Sequence, residues 1–190
     1  MEVILRRRNE LIVKKTAQRL EAMKEGLQID IDSPLVINGS TLPPLAKIAE
    51  HLVEEALAKP VVPGILHGDL CFSNTLLDYR NSRIRILDPR GADSAEELIG
   101  DITYDVSKVL HSAIGYYDLI LAGAFSIKYD HLSLTYDLDL AIGSAHQAVK
   151  DQFFGYQLLP RFKSVAHDAI PTMILLFLTC LLYTSDAADD

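Results

Sequence analysis

Apolar positions along the chain fall into helical and alternating runs separated by turn residues. From Glu10 to Met23, the residues Leu11, Ile12, Leu20 and Met23, with Ala17 between them, share one face of a helix that ends near Gly26. Over Leu27 to Leu42 the character changes. Ile29 and Ile31 alternate with acids, and Val36-Ile37-Asn38-Gly39 ends in a turn dipeptide, which predicts a short hairpin or an extended arm. The most regular helix follows, with Leu45, Ile48, Ala49, Leu52, Val53, Ala56 and Leu57 at i, i+3, i+4, i+7 spacing. Ser40 or Thr41 is available as its cap, Pro43 and Pro44 suit its first turn, and Pro60 stops it.

The run Val61 to Leu66 leads into a loop, His67-Gly68-Asp69. Beyond it, Thr75 to Leu77 and Arg83 to Leu87 read as two short strands joined by Tyr79-Arg80-Asn81-Ser82. After Pro89-Arg90-Gly91 an acidic loop leads to a helix from about Asp101, with Val106, Val109, Leu110 and Ala113 on one face and Gly115 after it. Phe125 to Leu138 alternates at Ile127, Tyr129, Leu132, Leu134 and Tyr136, predicting a second hairpin, and Leu140–Leu159 and Val165–Thr179 read as helices. The pattern is α+β, mainly helical with small β-hairpins, in one domain over 1–179.

Composition narrows the function. With 49% hydrophobic and 23% charged residues the chain can build a packed core, and a net charge of -8 argues against a nucleic-acid surface. The basic cluster Arg6 to Arg8 with Lys14 and Lys15 is expected to be a solvated helix face. Cys71 and Cys180 have neither metal-ligand nor disulfide-framework spacing, so a reducing cytoplasm is the expected location. The N-terminus lacks the apolar core of a secretory signal, and Met173 to Tyr183 is shorter than the ~20 residues of a bilayer span, so no membrane partner is expected. Residues 180–190, Cys-Leu-Leu-Tyr-Thr-Ser-Asp-Ala-Ala-Asp-Asp, resemble a translated sequencing adaptor and read as a non-native tail.

Three polar residues carry the candidate chemistry: Asp69, Asn74 five residues on, and Asp88 fourteen residues further, in the frame HGDLCFSN followed by ILDPRG. Phosphoryl transfer needs an acceptor hydroxyl held in line, its proton accepted, and phosphate charge neutralised. Asp69 can take the hydroxyl proton, and Asn74 and Asp88 offer hard oxygens of the kind Mg²⁺ accepts beside phosphates and water. A hairpin between them can return Asp88 to Asn74 although they are far apart in sequence. Gly68 permits a tight turn, and His67 in such a loop acts more often as a hydrogen-bonded scaffold than as a base.

This constellation resembles the catalytic loop and metal-binding aspartate of protein-kinase-like phosphotransferases. Gly68 in place of an arginine, and the later run Gly100-Asp101-Ile102-Thr103-Tyr104-Asp105-Val106-Ser107-Lys108, resemble the aminoglycoside phosphotransferase and choline kinase branch. The resemblance implies the C-terminal lobe of that fold, ATP and Mg²⁺ as cofactors, and a small-molecule alcohol as acceptor. It places Asp69 and His67 in the catalytic loop, Asn74 and Asp88 at nucleotide and metal, and Gly68, Asp101 and Asp105 in support. Asp101 also reads as a simple helix cap.

Departures from the family pattern keep other readings open. Residues 1–66 contain neither a GxGxxG loop nor a strand lysine, so the chain is expected to be a fragment whose nucleotide-covering lobe lies upstream, or an inert kinase-like domain that binds nucleotide or partner. Asp30-Ile31-Asp32-Ser33 resembles the start of haloacid-dehalogenase-type phosphatases, whose nucleophilic acid needs a buried parallel strand before it. Cys71 reads as a packing thiol, and Arg90 as a phosphate contact or a carboxylate partner. Tyr116, Tyr117, Tyr129 and Asp118 read as pocket lining or as core and surface. Choline, an amino sugar, another sugar or a capsule-type intermediate each fit as acceptor.

Overall fold

The computed structural model describes residues 1–90, 94, 98–155 and 165–180, and the side chains of all of these except 154, 155, 179 and 180. The chain opens with α1, Glu2–Asn9, which passes through one π turn, Glu10–Lys14, into α2, Lys15–Glu25. Then come β1, Leu35–Ile37; β2, Ser40–Leu42; α3, Leu45–Ala58; and β3, Pro63–Ile65. A 3₁₀ turn at Phe72–Asn74 precedes β4, Thr75–Asp78, and β5, Arg83–Ile86. The rest comprises β6, Ile99–Asp101; α4, Thr103–Ala113; α5, Tyr117–Leu121; β7, Phe125–Asp130; β8, Thr135–Leu140; and α6, Ser144–Gly155. A short helix α7 at 165–168 leads to α8, Ile170–Cys180. About half of the chain is helical and a fifth is strand in small sheets, so the fold is α+β.

Helix α8 is the centre of the packing. Apolar almost all round, such a helix must be covered on several sides. Leu175 and Leu178 meet Ile12, Met23, Ile31, Ala49, Leu52 and Ala56 from the first three helices and the segment before β1. Met173 and Ala169 meet Leu110 of α4, with Val106, Ile114 and Phe177 closing around them. A polar contact reinforces this second seam: the Ser107 hydroxyl, fully buried, lies 2.7 Å from the Thr103 carbonyl and 2.9 Å from the Ala169 carbonyl. The apolar stretch from Met173 is thus a core helix, and among the described residues no helix is long and apolar enough to cross a membrane.

The N-terminal helix starts earlier than its periodicity predicts, at Glu2, and Ala17 is exposed while Thr16 is buried. Its inward residues Ile4, Arg8, Ile12 and Thr16 recur every fourth position. That repeat overshoots the 3.6-residue period of an α-helix by about 40° each time, and the wider i→i+5 turn at Glu10–Lys14 absorbs the drift. Arg8 is therefore no part of a solvated face. It is buried, its guanidinium donates to the carbonyls of Ala56 and Lys59 at the end of α3, and it faces the Asp101 carboxylate at 3.5 Å.

The Asn38-Gly39 turn forms as expected, with φ of +51° and +73° at the two residues, as a two-residue hairpin loop requires. The arm does not stand alone, however. β1 pairs in parallel with β8, giving the sheet order β2-β1-β8-β7. Asn38 makes the joint by using its side chain as a strand: Nδ2 donates to the Leu138 carbonyl at 2.9 Å and Oδ1 accepts from the Leu138 amide at 2.8 Å. Ser40 and Thr41 lie in β2, so neither caps α3, whose N-cap is Pro44 with extended backbone. The predicted helices over 140–159 and 165–179 appear as Ser144–Gly155 and as α7 with α8; residues 156–159, the acidic loop beyond Arg90 apart from Ser94, and the tail from 181 lie outside the described residues.

Replacing Arg8 by Met keeps the apolar stem but leaves a buried carboxylate at Asp101 without its cation and two helix-end carbonyls without a donor. Arg8→Met is expected to lower unfolding free energy by about 3 kcal/mol, read from urea denaturation, and a loss below about 1 kcal/mol would show the pair to be dispensable.

Candidate functional site

β3 and β6 form an antiparallel pair, Pro63 opposite Asp101 and Ile65 opposite Ile99, and it delivers the chain to the His67 loop. There the backbone leaves the sheet and turns at Gly68, whose φ is +83°. A Cβ at this position would also come within 2.9 Å of the Arg90 Cβ, so only glycine fits both the angle and the space.

Two loop amides that no strand can satisfy are taken by one side chain. Asp105, in the first turn of α4, accepts the His67 amide at 2.6 Å on Oδ2 and the Gly68 amide at 2.9 Å on Oδ1. The Arg90 amide in turn donates to the His67 carbonyl at 2.8 Å. The imidazole is used on both sides: Nε2–H donates to the Leu87 carbonyl at 2.9 Å, which leaves Nδ1 to accept the Asp69 amide at 3.3 Å. His67, grouped with Asp69 in the catalytic loop on sequence grounds, is thereby a backbone brace, because a ring with both nitrogens committed has none left to move a proton.

Two of the three candidate residues, Asp69 and Asn74, are joined through the same network. The Asp69 carbonyl accepts the Asn74 side-chain amide at 2.9 Å, which leaves the amide oxygen as that side chain's hard donor. Strands β4 and β5 pair from Thr75 opposite Ile86 to Asp78 opposite Arg83, and the Leu87 amide closes the fold-back on the Asn74 carbonyl at 2.8 Å. Asp88 follows directly, exposed and with φ of +54°, a conformation that aspartate tolerates better than most residues. Asp69 itself is half-buried, and Lys108, one turn after Asp105 on α4, places its ammonium 3.1 Å from Oδ1.

Asp101 and Asp105 support different things. Asp101 accepts the amides of Val62 and Thr103, both at 3.2 Å, and faces Arg8, so it ties the approach to β3, the start of α4 and α1 together. The loop itself is held by Asp105. Among the described residues no three His, Cys, Asp or Glu side chains converge on a metal position. A magnesium ion carried by phosphates needs only one or two protein oxygens, and Asn74 and Asp88 are of the right chemistry.

Beside the loop runs a cleft made of two cavities of about 290 and 320 Å³ that share Leu11, Lys15, Arg90 and Tyr104. The first touches His67 and Gly68, and the second touches Asp69, Cys71 and Lys108. Burial and then the neighbouring charges of Arg90, Arg19 and Lys108 hold the Lys15 ammonium below its usual range, while burial pushes the Tyr104 phenol up. Lys15 belongs to the basic run that reads as a solvated helix face and Arg19 carries no signal of its own in the sequence, yet both line the cleft. Tyr117 reaches the cleft and stacks on His111, whereas Tyr129 stacks on Tyr136 in the β7–β8 hairpin.

The phosphatase-like segment has no such support. Residues 26–34 form no strand, and Asp30 is exposed with its Oδ1 accepting the amides of Asp32 and Ser33 in a local turn. A nucleophilic carboxylate needs a rigid buried strand behind it.

Asp105→Ala is expected to leave both loop amides without their acceptor and to cost about 2 kcal/mol, with hydrogen exchange at His67 and Gly68 accelerated at least tenfold; unchanged exchange would mean that the loop is held elsewhere. His111, packed against Tyr117 and Phe177, is held down at about 4 by burial and then by Lys108. Its folded value lies below the unfolded one, so the stabilisation is complete above about pH 6.5 and is lost as pH falls toward 4. Between pH 7 and pH 5 about 2 kcal/mol should disappear from the wild type relative to His111→Phe in urea titrations, and parallel profiles would contradict this. Comparison of the chain with protein-family models, curated proteins and solved structures returns no match.

Proposed function

We propose that this chain is the catalytic lobe of a small-molecule phosphotransferase of the aminoglycoside phosphotransferase and choline kinase type, transferring phosphate from ATP to an alcohol. One observation carries the reading. The hydrogen-bonded circuit through Asp105, His67, Asp69, Asn74 and Leu87 puts a carboxylate, an amide oxygen and the residue before a second carboxylate on one continuous stretch of braced backbone.

In this reading Asp69 orients the acceptor hydroxyl and takes its proton as the oxygen attacks phosphorus. Lys108 fixes the carboxylate from below. His67 spends both ring nitrogens on holding the Asp69 amide against Leu87, so the loop keeps its shape when substrate binds. Asn74 and Asp88 would hold magnesium, which when bound with ATP neutralises phosphate charge. Gly68 lets the backbone pass close under the reacting group. A half-buried loop braced in advance contributes by positioning, which is most of what this chemistry asks of a protein.

A second reading, a kinase-like domain that binds nucleotide or partner without turnover, draws on the Lys108 contact that already engages Asp69. The two are separated by measuring Mg²⁺-dependent ATP binding together with transfer of labelled γ-phosphate to a panel of alcohols. Asp69→Ala is expected to lower turnover by about 10²-fold or more while Mg·ATP binding stays within about twofold and the protein still unfolds in one cooperative transition. Activity within about tenfold of wild type would remove Asp69 from its role, and tight Mg·ATP binding without transfer to any acceptor would favour the inert domain.

A further inference from the structure

The four-stranded sheet β2-β1-β8-β7 ends on β7, and all six residues of that strand are exposed. Its phase is fixed by its neighbour. Leu138 of β8 gives both its amide and its carbonyl to the Asn38 side chain, on the β1 side, and the Tyr136 carbonyl accepts the Asn38 amide there at 2.9 Å. Ile127 lies opposite Leu138 and Tyr129 opposite Tyr136, so neither is a hydrogen-bonded pair, and the ladder between β7 and β8 runs through Ser126, Lys128 and Asp130. The Ala141 amide, bonded to the Ala124 carbonyl at 2.9 Å, keeps the same alternation. Phe125, Ile127 and Tyr129 therefore send their N–H and C=O groups out of the sheet edge, and their side chains share one face. Among the described residues no hydrogen bond reaches those outward groups.

An open edge of this kind takes another strand. We propose that it takes β7 of a second copy of this chain, antiparallel about a two-fold axis through Ile127. The outward residues are symmetric about that position. With the axis there, Ile127 meets Ile127 of the second copy and Phe125 meets Tyr129 of the second copy, each pair exchanging both N–H···O bonds, so every outward group is used. The apolar side chains of the two strands join into one strip with an aromatic pair at each end. On the other face Lys128 comes opposite Ser126 of the second copy. Since Lys128 already faces Asp137 and Ser126 faces Asp139, each row runs Asp137, Lys128, then Ser126 and Asp139 of the second copy, which sets a cation between two acids. Moving the axis to Lys128 puts two ammonium groups opposite each other, and moving it to Ser126 leaves Tyr129 facing Gly123, beyond the strand end. The junction is small, one six-residue strand a side, which places it among weak, exchanging interfaces.

The test follows the mass of the full chain against concentration by light scattering and sedimentation. The wild type is expected to move from 21.1 kDa toward twice that mass with a midpoint near about 0.1 mM. Exchange of the Ile127 amide should slow as concentration rises, while that of Lys128, already bonded to β8, should not. Ile127→Pro removes an outward donor that the sheet itself does not use, so the β7–β8 ladder stays while association weakens about tenfold or more. In a background with Cys71 and Cys180 replaced by Ala, Ile127→Cys is expected to oxidise to a covalent dimer, because the residues of a bonded pair stand about 5.5 Å apart at Cα; Ser126→Cys is not. A chain still monomeric at about 1 mM overturns the proposal, as does association unchanged in Ile127→Pro or cross-linking through Ser126→Cys in preference to Ile127→Cys. A monomeric chain whose edge is taken only by an unrelated extended peptide assigns the edge to a foreign strand and overturns it as well. Should Ile127→Pro fail to fold, the two cysteine variants decide alone.

Discussion

Everything at the candidate site depends on a carboxylate meeting two backbone amides. Asp105 stands in the first turn of a helix whose far side is locked into the core through Leu110 and Ser107, and its two oxygens take the His67 and Gly68 N–H groups that the end of a strand leaves unpaired. A charged acceptor for buried donors is among the stronger hydrogen bonds available to a protein. The position of the loop is therefore that of α4, and the position of α4 is that of α8. Rigidity passes from the core to Asp69 in two steps.

A second buried acid performs the complementary task. Asp101 joins the start of α4 to the N-terminal helix through Arg8, and Arg8 also closes the end of α3. The ion pair holds the wall of the cleft against the loop that faces it. Since burying such a pair is costly in itself, its use here is best understood as fixing orientation, and the packing of Ile4 and Ile12 around it supplies the net stabilisation.

Part of this was legible in the chain. The helical period from Leu45 to Ala56 and the Asn38-Gly39 turn carry local signals, and the fold obeys both, although Leu57 at the helix end is exposed. What escaped were features set by distant partners. Nothing near Arg8 says that Asp101 waits for it 93 positions later, and a basic run reads as solvated until its partner is seen. The parallel pairing of β1 with β8 rests on the side chain of Asn38, whose turn-forming habit masks its use as a strand surrogate. Thr103, Asp105, Ser107, His111 and Ser112 are buried polar residues on α4, so an apolar-stripe reading sees only part of that helix's inner face.

The π turn at Glu10–Lys14 has a consequence for how the molecule can change over time. One further residue in that stretch would swing everything beyond it by about 100° around the helix axis. Ile4 and Arg8 would stay seated, while Lys15 and Arg19 would swing to a different side. The same swing would carry Thr16, Leu20 and Met23 away from the core they pack into, so the stretch cannot lengthen without unseating α2. The wide turn thus sets the length that the N-terminal helix can have as well as the direction in which it continues.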